Sequence, residues 1–63
     1  MPLAMIHMME GRNEEKKAAL IAAVTDAICT SLDVPPESVR VIVQDVPKSQ
    51  WGIGGKTAKE LGR

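Results

Sequence analysis

Residues 3–9 read Leu-Ala-Met-Ile-His-Met-Met, apolar at both parities of an extended chain. Leu3, Met5 and Met9 fall on one face, Ala4, Ile6 and Met8 on the other. A strand that is apolar on both sides needs cover on both sides, which a single helix cannot supply. Residues 39–46 repeat the pattern, with Val39, Val41 and Val43 on one face and Arg40, Ile42 and Gln44 on the other. Between the two strands lies a segment with a different period. Leu20, Val24, Ile28 and Leu32 recur every four residues, flanked by Lys17, Ile21 and Ala27, which predicts an amphipathic helix of roughly 19 residues, ~28 Å long. Asn13 is a good N-cap, and Glu14 and Glu15 suit the positive end of the helix dipole. Asp33-Val34-Pro35-Pro36 ends the helix, because a residue before proline avoids the α region.

Strand, helix and strand make one β-α-β unit, an α+β subunit with parallel strands and a right-handed crossover. The Gly-rich stretch from Gln50 to Gly55 follows, and the remaining eight residues suffice for a short hairpin or a turn of helix. The 63 residues are expected to form a single domain, residues 1–63. A domain of this size hides only about 60% of the surface its unfolded chain exposes. Such folds lean on disulfides, a metal or assembly. Cys29 is the only cysteine, so no internal disulfide forms, and no Cys/His cluster is present to hold a metal. Yet 44% of the residues are apolar, too many for a disordered chain. Self-assembly is therefore expected before any motif is read.

The charge balance removes other partners. Eight Lys and Arg oppose eight Asp and Glu, whereas phosphate backbones and anionic membranes call for clustered excess cation. Trp51 is the sole aromatic residue, so there is no stacking platform for bases. No apolar run approaches the ~20 residues of a membrane span, and no basic segment precedes an apolar one as in a signal peptide. The expected compartment is the reducing cytoplasm.

Four residues carry candidate chemistry. Pro2 becomes the first residue once Met1 is removed, as is usual before a small residue, and then presents a secondary amine. An α-amino group titrates near 7.7–8.0 in model compounds, and burial beside fixed cations lowers that value. Such an amine is suited to general-base work near neutrality. Arg12 follows the first strand and Arg40 lies in the second; both can approach one end of the sheet, from one subunit or from neighbours. Two guanidinium groups bind carboxylates bidentately. Trp51, beside Gly52-Ile53-Gly54-Gly55, offers an apolar pocket wall or an interface plug.

Other motifs fail on spacing. Gly55-Lys56-Thr57 resembles the end of a P-loop, but position 50 is Gln where that motif has its first glycine. Thr57 also stands at the third glycine position of the dinucleotide fingerprint. His7 lies mid-strand on the parity opposite Pro2, and Cys29 lies within the long helix, away from any strand end and from the helix N-terminus. Neither is assigned a role.

Taken together, Pro2-Leu3, Ile6-His7, Glu10-Gly11-Arg12, Ser38-Val39-Arg40-Val41-Ile42 and Gly52-Ile53-Gly54-Gly55 resemble the 4-oxalocrotonate tautomerase family, nearly end to end. The resemblance implies a homohexamer, a trimer of dimers of β-α-β subunits with a short C-terminal hairpin. It implies a cofactor-free enol–keto tautomerase acting on 2-hydroxymuconate, a dienol dicarboxylate, or on a related 2-keto acid. Pro2, freed of Met1, is then the general base. Arg40 from a neighbour binds the C1 carboxylate and the 2-oxygen, and Arg12 from an adjacent subunit holds the distal carboxylate. Trp51 stands where the family's best-known members carry phenylalanine, so the pocket is expected to be narrower or shifted. Two alternatives stand beside this reading: a related amino-terminal-proline activity such as haloacrylate dehalogenation by hydration, and a non-enzymatic self-assembling module.

Overall fold

A computed structural model describes all of residues 1–63. Strand β1 spans Leu3–Met9, helix α1 Glu14–Leu32 and strand β2 Arg40–Val46. β1 and β2 pair in parallel, in a register that sets Leu3 beside Arg40, Met5 beside Ile42, His7 beside Gln44 and Met9 beside Val46. Two further strands, β3 (Gly52–Ile53) and β4 (Lys56–Thr57), form an antiparallel hairpin. Its two-residue turn, Gly54-Gly55, has positive φ at both positions (60° and 88°). Such a turn matches strand twist and suits glycine.

The helix boundaries follow from their caps. The Asn13 side chain accepts a hydrogen bond from the Lys16 amide at 2.9 Å, satisfying a donor of the first turn. At the other end Asp33 sits in the left-handed region (φ 55°), and the Val34 amide closes on the Cys29 carbonyl at 3.3 Å. That is the closing bond of a Schellman-type cap, with aspartate in the place glycine usually takes. Two features went unforeseen. Residues Pro36–Ser38 and Lys48–Gln50 each form one turn of 3-10 helix. The first moves the start of β2 from the expected residue 39 to Arg40 and leaves Val39 buried at the turn's end.

Leu20, Val24 and Ile28 are half-buried on the face α1 turns to the sheet, as their spacing requires, but Leu32 is 59% exposed. The cause is the helical repeat. Steps of four residues advance the side chain by about 40° each, so the stripe has rotated off the sheet by Leu32.

Parity decides what the sheet shows to solvent. Ala4, Ile6, Met8, Val41 and Val43 are half-buried on the side covered by α1. On the other side Leu3 (56%), Met5 (58%) and Ile42 (43%) stand in water with His7, Arg40 and Gln44. Only Val39 and Ala58 are buried in the single chain. Its accessible surface is 4675 Å², against about 4,000 Å² for a compact protein of this mass. Its radius of gyration is 14.6 Å, against about 11 Å for a compact chain of this length. The subunit is an open shape whose second apolar sheet face has no cover of its own.

Candidate active site

The register fixes where the four candidate residues sit. Pro2 immediately precedes β1 and is half-buried; its carbonyl accepts the Arg40 amide at 3.0 Å, so the starts of the two strands are tied together. Met1 beyond it is exposed. While Met1 is attached, the Pro2 nitrogen is a peptide amide without a basic lone pair.

Arg40 begins β2 on the open face, beside Leu3. One guanidinium nitrogen, Nη1, donates to the Glu37 carbonyl at 2.7 Å and to the Val39 carbonyl at 3.2 Å. The Pro36–Ser38 turn that offers the first of these carbonyls is braced by the Ser38 hydroxyl, which donates to Pro35 O at 2.9 Å. The other guanidinium nitrogens of Arg40 have no partner within the chain and remain free for an anion.

Arg12 and Trp51 belong to the opposite end of the sheet. Arg12 follows β1 by three residues and is exposed; its Nη1 reaches Met9 O at 3.5 Å, at the limit of a hydrogen bond. Gly11, with φ 122°, supplies the backbone conformation that turns the chain toward α1. Trp51 ends the Lys48–Gln50 turn, is half-buried, and holds the hairpin through its carbonyl, which accepts the Ala58 amide at 2.8 Å. The two ends of the sheet are about 20 Å apart over seven residues of extended chain. One chain therefore does not bring Arg12 and Arg40 to a common sheet end. No enclosed pocket forms within the single chain.

His7 and Cys29 lie on opposite sides of β1, His7 on the open face beside Gln44 and Cys29 half-buried on the helix that covers the other. They form no acid–base pair. No group of His, Cys, Asp and Glu converges on a metal-sized site, and no helix is long and apolar enough to cross a membrane. Lys17 pairs with Asp45, joining the helix to the end of β2 at a partly exposed site.

Glu10 makes contacts that its place in a Glu10-Gly11-Arg12 turn does not reveal. The Glu10 carboxylate accepts the Lys48 amide at 3.1 Å, and the Glu10 amide donates to Val46 O at 3.1 Å. The first of these bonds joins the loop carrying Arg12 to the turn before Trp51 across 38 positions of sequence, and the second fastens that loop to the end of β2. Glutamate beside glycine signals a turn in the sequence, but not its distant partner.

Comparison with known proteins adds an independent line. A family model described as "Tautomerase enzyme" matches residues 2–60. A 2-hydroxymuconate tautomerase of Stutzerimonas stutzeri is 54% identical over 63 residues, the whole of both chains. Among solved structures, a 4-oxalocrotonate tautomerase isozyme of Methylibium petroleiphilum superposes with a TM-score of 0.95 at 53% identity, covering 98% of this chain and 100% of that one. A heterohexamer 4-oxalocrotonate tautomerase of Chloroflexus aurantiacus gives 0.92 at 44% identity, covering 97% of this chain and 98% of that one. Sequence and subunit shape agree over almost the full length, and the chain belongs to the tautomerase family of enzymes, whose chemistry is isomerisation.

Proposed function

We propose that this chain is a cofactor-free enol–keto tautomerase of 2-hydroxymuconate-like dienol dicarboxylates, and that Pro2, released from Met1, is its general base. The placement of its cationic and basic groups supports this reading. Pro2 stands immediately before β1, with its carbonyl tied to the Arg40 amide. Arg12 and Trp51 wait at the far end, to meet the Pro2 end of another copy. The unpartnered sheet face, with Leu3, Met5 and Ile42 exposed, favours such assembly, here a homohexamer built as a trimer of dimers.

In this assembly the Pro2 nitrogen accepts the proton of the substrate's 2-hydroxyl. The electron pair of that O–H bond becomes the C2 carbonyl, and the diene electrons shift so that C5 takes a proton back from the prolinium. The product is 2-oxo-3-hexenedioate, with its remaining double bond between C3 and C4, and no atom is gained or lost. A neighbour's Arg40 binds the C1 carboxylate and donates to the 2-oxygen as negative charge develops there. Arg12 of an adjacent subunit holds the distal carboxylate, and the indole of Trp51 excludes water. That exclusion strengthens the guanidinium contacts and disfavours the charged amine.

The test is an ultraviolet assay of 2-hydroxymuconate with protein whose mass shows that Met1 is absent. Acceleration over buffer is expected. A proline-first chain that gives no acceleration refutes this substrate assignment.

A further inference from the structure

We infer that Glu10 is a positioning residue, locking Arg12 and Trp51 into one rigid half-site for the distal carboxylate. The inference rests on the proposed tautomerase reading and extends it to a residue that touches no substrate. Glu10 holds the Arg12 loop twice: its amide donates to Val46 O and its carboxylate accepts the Lys48 amide, both at 3.1 Å. The Lys48 carbonyl in turn accepts the Trp51 amide at 3.4 Å and the Lys59 amide at 3.2 Å. A single residue, Lys48, thus links the Glu10 carboxylate, through its amide and then its carbonyl, to the backbone of Trp51 and to the segment after the hairpin. Arg12 is two residues from Glu10, and between them lies Gly11, whose open conformation gives the loop no stiffness of its own. Arg12 itself makes one long hydrogen bond within the chain. Without the carboxylate, the Arg12 loop keeps its amide bond to Val46 at the end of β2 but loses its tie to the Lys48–Gln50 turn that leads to Trp51.

A role confined to the distal subsite predicts substrate-selective damage. Glu10→Ala should raise KM about tenfold for the dicarboxylate dienol, the effect of losing one charge-assisted hydrogen bond, while kcat changes less. A dienol of the same carbon skeleton that lacks the distal carboxylate should keep its KM within about twofold. Glu10→Gln retains an acceptor for the Lys48 amide and should restore most of the dicarboxylate KM. In an Arg12→Ala background, Glu10→Ala should add little further loss on the dicarboxylate. Trp51 is the sole aromatic residue, so its fluorescence reports on the turn without any assay of activity. Its emission should move to longer wavelength in Glu10→Ala and stay in place in Glu10→Gln.

Equal losses on both substrates, an unchanged dicarboxylate KM, or an unmoved emission in Glu10→Ala would each overturn the assignment. The unsubstituted chain separates the two levels of inference. If it turns over neither dienol, the tautomerase reading fails. If it turns over both and Arg12→Ala loses only the dicarboxylate, the reading stands and the Glu10 variants alone decide.

Discussion

Removing Met1 changes the chemistry of one atom, turning the Pro2 nitrogen from an amide into an amine. Pro2→Ala should lower kcat by about a hundredfold or more, the usual worth of a positioned general base, in protein verified by mass to start at residue 2. A rate near that of the unsubstituted chain would remove Pro2 from the mechanism. Arg40 asks for a different substitution. Its Nη1 is already engaged by the Glu37 and Val39 carbonyls, so the planar fork is held while its other donors stay open. Lysine keeps the charge but not the fork. Arg40→Lys should therefore lower kcat/KM about tenfold, despite the conserved charge, in a steady-state comparison.

Among the elements, the caps make the sharpest claims. Asn13→Ala removes the acceptor of the Lys16 amide and should cost about 1 kcal/mol, read by denaturation at one fixed protein concentration. Asp33→Gly should do the reverse. Asp33 holds φ at 55°, where glycine pays no steric penalty, and a gain of about 0.5–1 kcal/mol is expected. These elements were legible because their signals are local. Asn13 and the following glutamates, the prolines at 35 and 36, and the alternation at 3–9 and 39–46 each act within a few residues. The 3-10 turns were not legible, because Pro36-Glu37-Ser38 and Lys48-Ser49-Gln50 carry no periodicity at that length. The residues around Gly54-Gly55 read only as a Gly-rich loop followed by a short hairpin or a turn of helix, and the resemblance supplied the hairpin, since glycine pairs state permission for positive φ but not which strands they join. The candidate residues could be picked out one by one. Their placement at opposite ends of the sheet follows from the parallel register, and the Glu10 tie depends on a partner 38 positions away.

At the scale of the whole molecule, the balance of surface governs. A chain with only two buried residues and an apolar sheet face in water has little core of its own, so in the proposed assembly folding and association should be measured as one event. Met5→Asp places a charge on that face, opposite Ile42. It should shift sedimentation velocity toward smaller species; an unaltered sedimenting mass would show that this face is not the one assembly covers. The separation of the two sheet ends has another outcome. If every finished site draws its halves from different chains, two crippled versions can rescue one another. Chains lacking Pro2 and chains lacking Arg12, each silent alone, should regain a fraction of turnover after being unfolded together and refolded as a mixture. A duplicated gene for such a subunit is then free to divide the labour, one copy keeping the base and the other the carboxylate grip.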